Sequence, residues 1–288
     1  MANGILIVNK PEGWTSQDVV SKLRGVFHEK RVGHGGTLDP MATGVLPVFF
    51  GRATRAVEFF EHADKKYVAT VRLGQITDTQ DITGTILETR EVRVSTEDVS
   101  GVLPNFMGKI QQIPPMYSAI KIGGKKLYEL ARAGKEIERK PREIEVFSLQ
   151  MEHLCENDWT LTVHCSKGTY VRTLCHDIAM ALGCGGCMAS LQRTAAGAYR
   201  LQESLTLDEI MAHEAQEKLL RPVDSLFAAH PSLTLTPAQE KCVRNGARFT
   251  LRGKNAGLYR VYSPSGEFLA LCELKNEILS TIKSFFSV

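Results

Sequence analysis

The stretch Val32-Gly33-His34-Gly35-Gly36-Thr37-Leu38-Asp39-Pro40-Met41-Ala42-Thr43-Gly44-Val45-Leu46-Pro47 decides how the chain is read. Gly33, Gly35 and Gly36 leave the backbone free to adopt positive φ or to approach another molecule closely. One imidazole, His34, and one carboxylate, Asp39, stand inside this loop. Pro40 biases Asp39 toward extended geometry and disfavours a helix through it. The apolar run from Val45 to Phe50, broken only by Pro47, reads as a buried strand leaving the loop. A punctuated loop carrying an acid into a strand is a common setting for chemistry. The same composition also describes an Asx-type turn, which on composition alone is the commoner meaning.

The 288 residues, 43% of them hydrophobic, supply one large domain or a large and a small one. No apolar run approaches the roughly 20 residues that cross a bilayer. The opening Met1-Ala2-Asn3-Gly4-Ile5-Leu6-Ile7-Val8-Asn9-Lys10 lacks a basic leader and a long apolar core, so it reads as a first strand rather than a signal peptide. Seven scattered cysteines without an export signal point to free thiols and a cytoplasmic location. Cys184-Gly185-Gly186-Cys187 is a lone CxxC with no second pair, so a zinc ribbon is excluded and buried thiols are expected. The net charge of +3 is mild. Any nucleic-acid role must therefore rest on local patches.

Along the chain, Thr15 and Asp18 form a helix-start signal, followed by Val19, Val20, Leu23 and Phe27 at helical spacing. A short helix is expected over 52–61 and a strand over 65–74, with Tyr67 near its start. Asp78, Thr79, Asp81 and Gly84 mark a polar loop that lacks the glycine and distal glutamate of an EF-hand. A helix capped by Ser95 is expected to Phe106, then an extended piece over 113–121 stiffened by Pro114 and Pro115. Gly123-Gly124 is expected to introduce a helix through Leu127, Leu130 and Ala131. From Lys121 to Arg142 eight basic residues outnumber three acids, Glu129, Glu136 and Glu138. That density suits either a phosphate-gripping arm or a solvated helix and linker. Strands are expected over 144–154 and 158–165, a helix from about 169 to 182, a short strand at 191–194, and a helix over 207–220. Arg172 stands near a helix N-terminus, where a cation opposes the helix dipole, so it points to a specific anionic partner. From about 231 onward, short pieces punctuated by Gly246, Gly253, Gly257 and Gly266 read as a small, mostly β module set off from the main body.

Several of these strings together resemble one family. The string Gly33-His34-Gly35-Gly36-Thr37-Leu38-Asp39-Pro40-Met41-Ala42-Thr43-Gly44-Val45-Leu46-Pro47 resembles the catalytic-aspartate motif of the TruB family of tRNA pseudouridine synthases. Asn9-Lys10-Pro11 through Thr15-Ser16, Lys66-Tyr67 through Gly74, Thr77 through Asp81 with Gly84, Pro115 through Arg132, and Ser166 through Leu174 resemble its other motifs. The likeness is tightest from Ile5 to Leu191. Gln192 departs from it, standing where the family often has a second arginine before Arg193.

The resemblance implies an α+β pseudouridine-synthase fold: a central mixed, mainly antiparallel sheet flanked by helices, plus a small C-terminal β-rich PUA-like domain. It implies a catalytic domain over 1–225 with an RNA-gripping arm at about 107–142, and a PUA-like RNA-binding domain over 231–288. The implied reaction converts uridine to pseudouridine in the T-arm loop of tRNA, at uridine-55, on a flipped-out base. No cofactor and no metal are implied. The partner is the tRNA T-arm stem-loop, with no membrane, no obligate protein partner, and a monomeric enzyme. By the same resemblance Asp39 is the essential carboxylate, acting as nucleophile on the sugar or as base. Arg172 holds it ionised. Tyr67 stacks on the uracil and its hydroxyl serves the C5 proton. Tyr170 and Leu191 complete the uracil pocket, and His34 contacts the RNA loop.

Three rival readings come from other classes. A non-catalytic RNA-folding protein is disfavoured by the intact Asp39, Tyr67 and Arg172. The catalytic subunit of a guide-RNA-directed synthase is disfavoured by the absence of a basic tail after Phe285-Phe286-Ser287-Val288. A metal-dependent nucleotide hydrolase is disfavoured by the lack of a second acid near the motif.

Overall fold

The computed structural model describes residues 2–118 and 120–286; Met1, Ala119, Ser287 and Val288 lie outside the described residues, as do the side chains of Lys121, Ile122, Lys126 and Arg132. The sequence expectations that rest on those residues, including part of the basic arm and the last two residues of the C-terminus, lie outside the description with them.

The apolar opening run forms strand β1 (Gly4–Lys10), and the Thr15–Asp18 capping box starts helix α1 (Ser16–Val26). Strands β2 (Val32–His34) and β3 (Thr43–Phe50) bracket the Asp39 loop. A 3₁₀ turn (Gly51–Ala56) and helix α2 (Val57–Phe60) fill the place of the expected short helix. Next come β4 (Lys65–Leu73), the hairpin β5 (Gln75–Thr77) and β6 (Ile86–Thr89), and helix α3 (Thr96–Val102), capped by Ser95 and Asp98 as the sequence indicates. Strand β7 (Gly108–Gln112) precedes the two-stranded hairpin β8 (Lys121–Ile122) and β9 (Lys125–Lys126), which leads into helix α4 (Leu127–Arg132). The long strands β10 (Arg142–Cys155) and β11 (Asp158–Cys165) are followed by helix α5 (Val171–Ala181) and by β12 (Gly186–Ala196) and β13 (Tyr199–Arg200). Helix α6 (Leu207–Ala212) closes the body. Beyond it lie β14 (Ser232–Thr234), helix α7 (Pro237–Arg244), β15 (Phe249–Thr250), β16 (Gly257–Tyr262), β17 (Phe268–Lys275) and β18 (Ile278–Ser284).

The main sheet has nine strands in the order β1-β3-β12-β4-β11-β10-β7, with β2 added to β3 and β13 to β12. Only the β3–β12 pairing is parallel; the rest are antiparallel. The expected mixed, mainly antiparallel sheet is therefore present. Helix α1 covers one part of it by burying Val19, Val20 and Leu23 against Leu6, Val8, Leu46 and Val48. Helix α5 covers another, burying Leu174, Cys175 and Ile178 against Val71, Leu161 and Met188. A second sheet, β14-β16-β17-β18-β15, forms separately at the C-terminus.

Several expectations needed tertiary context and differ in the structure. The helix introduced by Gly123-Gly124 is present as α4, but the glycines, with φ of +58° and +83°, first make the two-residue turn of the β8–β9 hairpin. The helix expected over 207–220 stops at Ala212; His213 is extended and a separate 3₁₀ turn covers Gln216–Leu219. Its place is fixed instead by backbone bonds between Leu205 and Ile7 and between Arg221 and Ile5, which pull the segment across β1. The short strand expected at 191–194 is the eleven-residue β12, which lies inside the sheet. Strands β7 and β18 carry weak local patterns and were not expected. Both exist because a neighbouring strand offers them a full ladder.

The C-terminal sheet packs against the body. Leu271, Phe285 and Phe227 share a core cluster with Ile5, Ile7, Phe49, Phe60 and Tyr199. Arg55 donates to the Ser284 carbonyl and Lys283 pairs with Glu58.

Candidate active site

One transverse row of the main sheet carries the site. Lys10 on β1 stands opposite Gly44 on β3, Gly44 beside Arg193 on β12, Arg193 opposite Tyr67 on β4, and Tyr67 opposite Val163 on β11. Gly44 is required there: its φ is +101°, and a Cβ would stand 2.3 Å from the Arg193 carbonyl oxygen.

The Asp39 loop springs from this row and is tied down on every side. The Ala42 amide donates to the Asp39 carbonyl at 3.0 Å, closing a turn with Pro40 at its second position. The turn is made by the backbone, leaving the Asp39 carboxylate free of it. The Leu38 amide donates to Ser16 Oγ at 2.9 Å, and the Gly13 amide to the Pro40 carbonyl at 2.8 Å. Lys10, wholly buried, directs its Nζ at the carbonyls of Pro11, Trp14 and Pro40. Arg193 Nη2 donates to the Gly36 carbonyl at 3.1 Å and its Nε to the Val45 carbonyl at 2.7 Å. Fixing a loop by so many bonds holds a reactive group in one geometry without a rearrangement at the moment of reaction.

Arg172 meets this loop from the N-terminal turn of α5. Its Nε lies 3.0 Å from Asp39 Oδ2, and its side chain is 7% exposed against 40% for Asp39. The acid is therefore held from behind and open in front. The anionic partner expected for Arg172 is real, but it is two carboxylates. Arg172 Nη1 also lies 3.4 Å from Asp81 Oδ2, and its remaining donors reach the Thr79 carbonyl at 3.2 Å and the Tyr117 carbonyl at 2.8 Å. Asp81 is itself buried and accepts from the Thr79 hydroxyl and from the Thr83 amide and hydroxyl. Asp81 and the Thr79 carbonyl thus form a socket for an arginine, while Asp78 accepts from the Thr85 amide. Among the described residues no group of three or more His, Cys, Asp or Glu could hold a metal ion.

Tyr67 and Leu191 are both buried, on adjacent antiparallel strands, and share one cluster with Leu38, Ala42 and Val171 around Asp39. Burial raises the Tyr67 phenol above its ordinary pKa, while the Arg193 charge acts in the opposite direction. Tyr170 caps α5; its backbone is clasped at both ends by the buried Gln112 amide, at 2.8 and 3.1 Å. His34 ends β2 and makes no hydrogen bond or ion pair with Asp39 or Arg172 among the described residues. Its Nδ1 is buried without a hydrogen-bond partner, and burial together with Arg193 lowers its pKa. The structure thus joins Asp39 to Arg172 directly, places Tyr67, Tyr170 and Leu191 around them, and leaves His34 at the loop's entry.

Four residues escaped the sequence reading. Lys10, Lys65, Asp81 and Arg193 are all buried, and burial lowers both lysines to about 8. A charged residue in a strand reads locally as a solvated edge. Gln192 does not join the acid site: it lines a separate cavity of about 540 Å³ with Asn9, Trp14, Thr43 and Asp208.

A half-exposed carboxylate anchored by a buried arginine, in a sheet that also buries Tyr67 close by, is the centre of the candidate site. The chain superposes on the crystal structure of a Cbf5-Nop10-Gar1 complex with a TM-score of 0.75 and 25% identity, covering 99% of this chain and 85% of that one. These features define a pseudouridine synthase.

The family model for TruB family pseudouridylate synthases (N-terminal domain) matches residues 24–171, and that for the tRNA pseudouridylate synthase B C-terminal domain matches 172–228. The chain is 44% identical over 284 residues to tRNA pseudouridine synthase B of Syntrophomonas wolfei, covering 95% of this chain and 94% of that protein. It is 47% identical over 246 residues to tRNA pseudouridine synthase B of Alkaliphilus oremlandii, covering 85% and 82%. The chain belongs to the TruB family of pseudouridine synthases. The five-stranded C-terminal sheet lies beyond both matched segments.

Proposed function

We propose that this enzyme isomerises uridine to pseudouridine in the T-arm loop of tRNA, at uridine-55, acting alone as a cytoplasmic monomer without a cofactor. The observation that carries the reading is the half-open Asp39 held at 3.0 Å by the buried Arg172. The uridine leaves its stack at a cost of a few kcal/mol and its base is received beside Tyr67 and Leu191. Stacking on Tyr67 returns about 1–3 kcal/mol. Asp39, as nucleophile or base toward the ribose, supports cleavage of the N1–C1′ bond. The uracil turns and C5 bonds to C1′. Arg172 keeps Asp39 oriented throughout, and Tyr170 closes the pocket.

His34, at the loop's entry, suits a contact with the RNA loop. The basic segment from Lys121 to Arg142 is rooted on the active site through Tyr117, whose carbonyl accepts from Arg172. It suits a grip on the T-stem phosphates. The C-terminal sheet is read as a PUA-like RNA-binding domain lying toward the acceptor end.

The test is tritium release from unmodified tRNA transcript labelled with 5-³H-uridine, using purified protein with no metal, guide RNA or second protein added. Release that vanishes in Asp39→Asn, and when the T-loop uridine is replaced by cytidine, is the expected result. Tight tRNA binding without release overturns catalysis. Release independent of the T-loop uridine overturns the assigned position. Release only after a guide RNA or partner protein is added overturns the stand-alone reading.

A further inference from the structure

Arg193 is among the largest fully buried side chains of the protein, 1% exposed. Its hydrogen bonds run to two backbone carbonyls, those of Val45 and Gly36, and no carboxylate lies within 4.0 Å of it among the described residues. Its charge bears on three basic side chains, Lys10, His34 and Lys65, each held below its ordinary pKa by burial first. An unneutralised guanidinium in such a place is costly to keep. The other side chain it faces is Tyr67, directly opposite it in the β12–β4 register. Three charged or titratable groups bear on the Tyr67 phenol: Arg193 from β12, Cys165 from β11 and Asp39 from the loop. Only Arg193 favours a negative charge there; the other two oppose it.

We propose that Arg193 is a positioning residue for the second half of the reaction, holding Tyr67 in place and stabilising negative charge on its oxygen while C5 gives up its proton. The inference rests on the proposed isomerisation. Over that reaction the N1–C1′ bond breaks with its electron pair on the uracil, and the C5–C1′ bond forms. C5 then carries both the sugar carbon and a hydrogen. The C5–H electron pair returns to the ring, the Tyr67 oxygen takes the C5 proton as its own hydroxyl proton passes to water, and N1 takes one proton from water, so that Tyr67 ends protonated as it began. Arg193 touches neither sugar nor base in this scheme; it acts through Tyr67 and through the Gly36 carbonyl of the Asp39 loop.

The experiment is single-turnover conversion of saturating tRNA transcript carrying 5-¹H- or 5-²H-uridine, followed across pH, for the natural chain and for Arg193→Met, Arg193→Lys and Tyr67→Phe. Arg193→Met is expected to bind tRNA within about twofold of the natural chain yet to convert it at least about tenfold more slowly. Its deuterium isotope effect is expected to be larger and its rate to rise to higher pH. Arg193→Lys, which keeps the charge without the fork, recovers most of the rate. In a Tyr67→Phe background Arg193→Met adds no further loss. An isotope effect and pH profile unchanged from the natural chain, or an equal loss in both backgrounds, overturns the inference. Should the Arg193 variants fail to fold, Tyr67→Phe alone decides: an unchanged isotope effect and pH profile means that the pair has no part in C5 proton removal. A natural chain that converts no uridine overturns the proposed function itself; one that converts it normally while these variants behave as structural lesions overturns only the inference.

Discussion

Arg172 Nε lies 3.0 Å from Asp39 Oδ2, and this contact joins the start of a helix to a loop on the far side of two strands. The guanidinium is shared with Asp81 and with two backbone carbonyls, so all of its faces are engaged. Its fork can therefore hold the acid in one orientation while the acid stays open to substrate. Lysine offers one point charge and cannot span those partners. Arg172→Lys is expected to lower turnover by about a hundredfold or more, with tRNA binding largely kept. Tritium release at saturating tRNA measures this, and a loss below threefold would refute the positioning role.

Asp81 anchors the arginine from behind. Asp81→Ala leaves a buried guanidinium short of one counter-charge and frees the hydroxyls of Thr79 and Thr83 from their acceptor. Breaking a buried pair costs about 3–5 kcal/mol. Urea unfolding should show that loss, with turnover falling alongside it. A stability change under about 1 kcal/mol would show that Arg172 draws nothing from Asp81.

Lys10 makes the site sensitive to alkaline pH. Burial pushes its ammonium down to about 8 from the ordinary 10.5, with nearby Asp39 acting the other way. Below pH 8 both folded and unfolded chains carry the proton, and the burial cost stands in full. Between about 8 and 10.5 the unfolded chain binds the proton more tightly, so this group's contribution to stability rises with pH across that window. Activity moves in the opposite sense, because the neutral amine bonds the Pro40 carbonyl of the Asp39 loop less strongly. Comparing Lys10→Met with the natural chain isolates the effect: the natural chain's relative stability should improve between pH 7.5 and 9.5. A gap that stays constant over that range would refute it.

The C-terminal sheet is structural as well as peripheral. Removing everything after residue 228 strips Leu271 and Phe285 from a cluster that includes Phe49, Phe60 and Tyr199 of the body. The truncated chain should melt several degrees lower and show new apolar surface by dye binding. An unchanged melting temperature, with only tRNA affinity reduced, would mean the module is an independent appendage.

The elements that could be read in advance are those whose signal is local. The Thr15–Asp18 and Ser95–Asp98 boxes set helix starts because a side chain three residues away satisfies the free amides. The strands β1, β4 and β11 follow from apolar or alternating runs. The helix over 207–220 was overextended because propensity after Ala212 is overridden by pairing with β1, whereas the helix through Leu127, Leu130 and Ala131 is present, introduced by the glycine turn.

By itself the sequence determined the loop with its acid and proline, the caps and the strong strands. Through the motif strings it also determined the family, and with it the expectation that Asp39, Tyr67 and Arg172 act as a set. What only the tertiary structure decided is which charges are buried and what they face. Asp81 reads as a loop acid, and Lys10, Lys65 and Arg193 as ordinary strand cations, because burial and charge pairing depend on segments distant in sequence. The parallel seam between β3 and β12 closes over Gly44 and brings Arg193 beneath the Asp39 loop and beside Tyr67. No local pattern encodes that contact, because it exists only once the strands have come together.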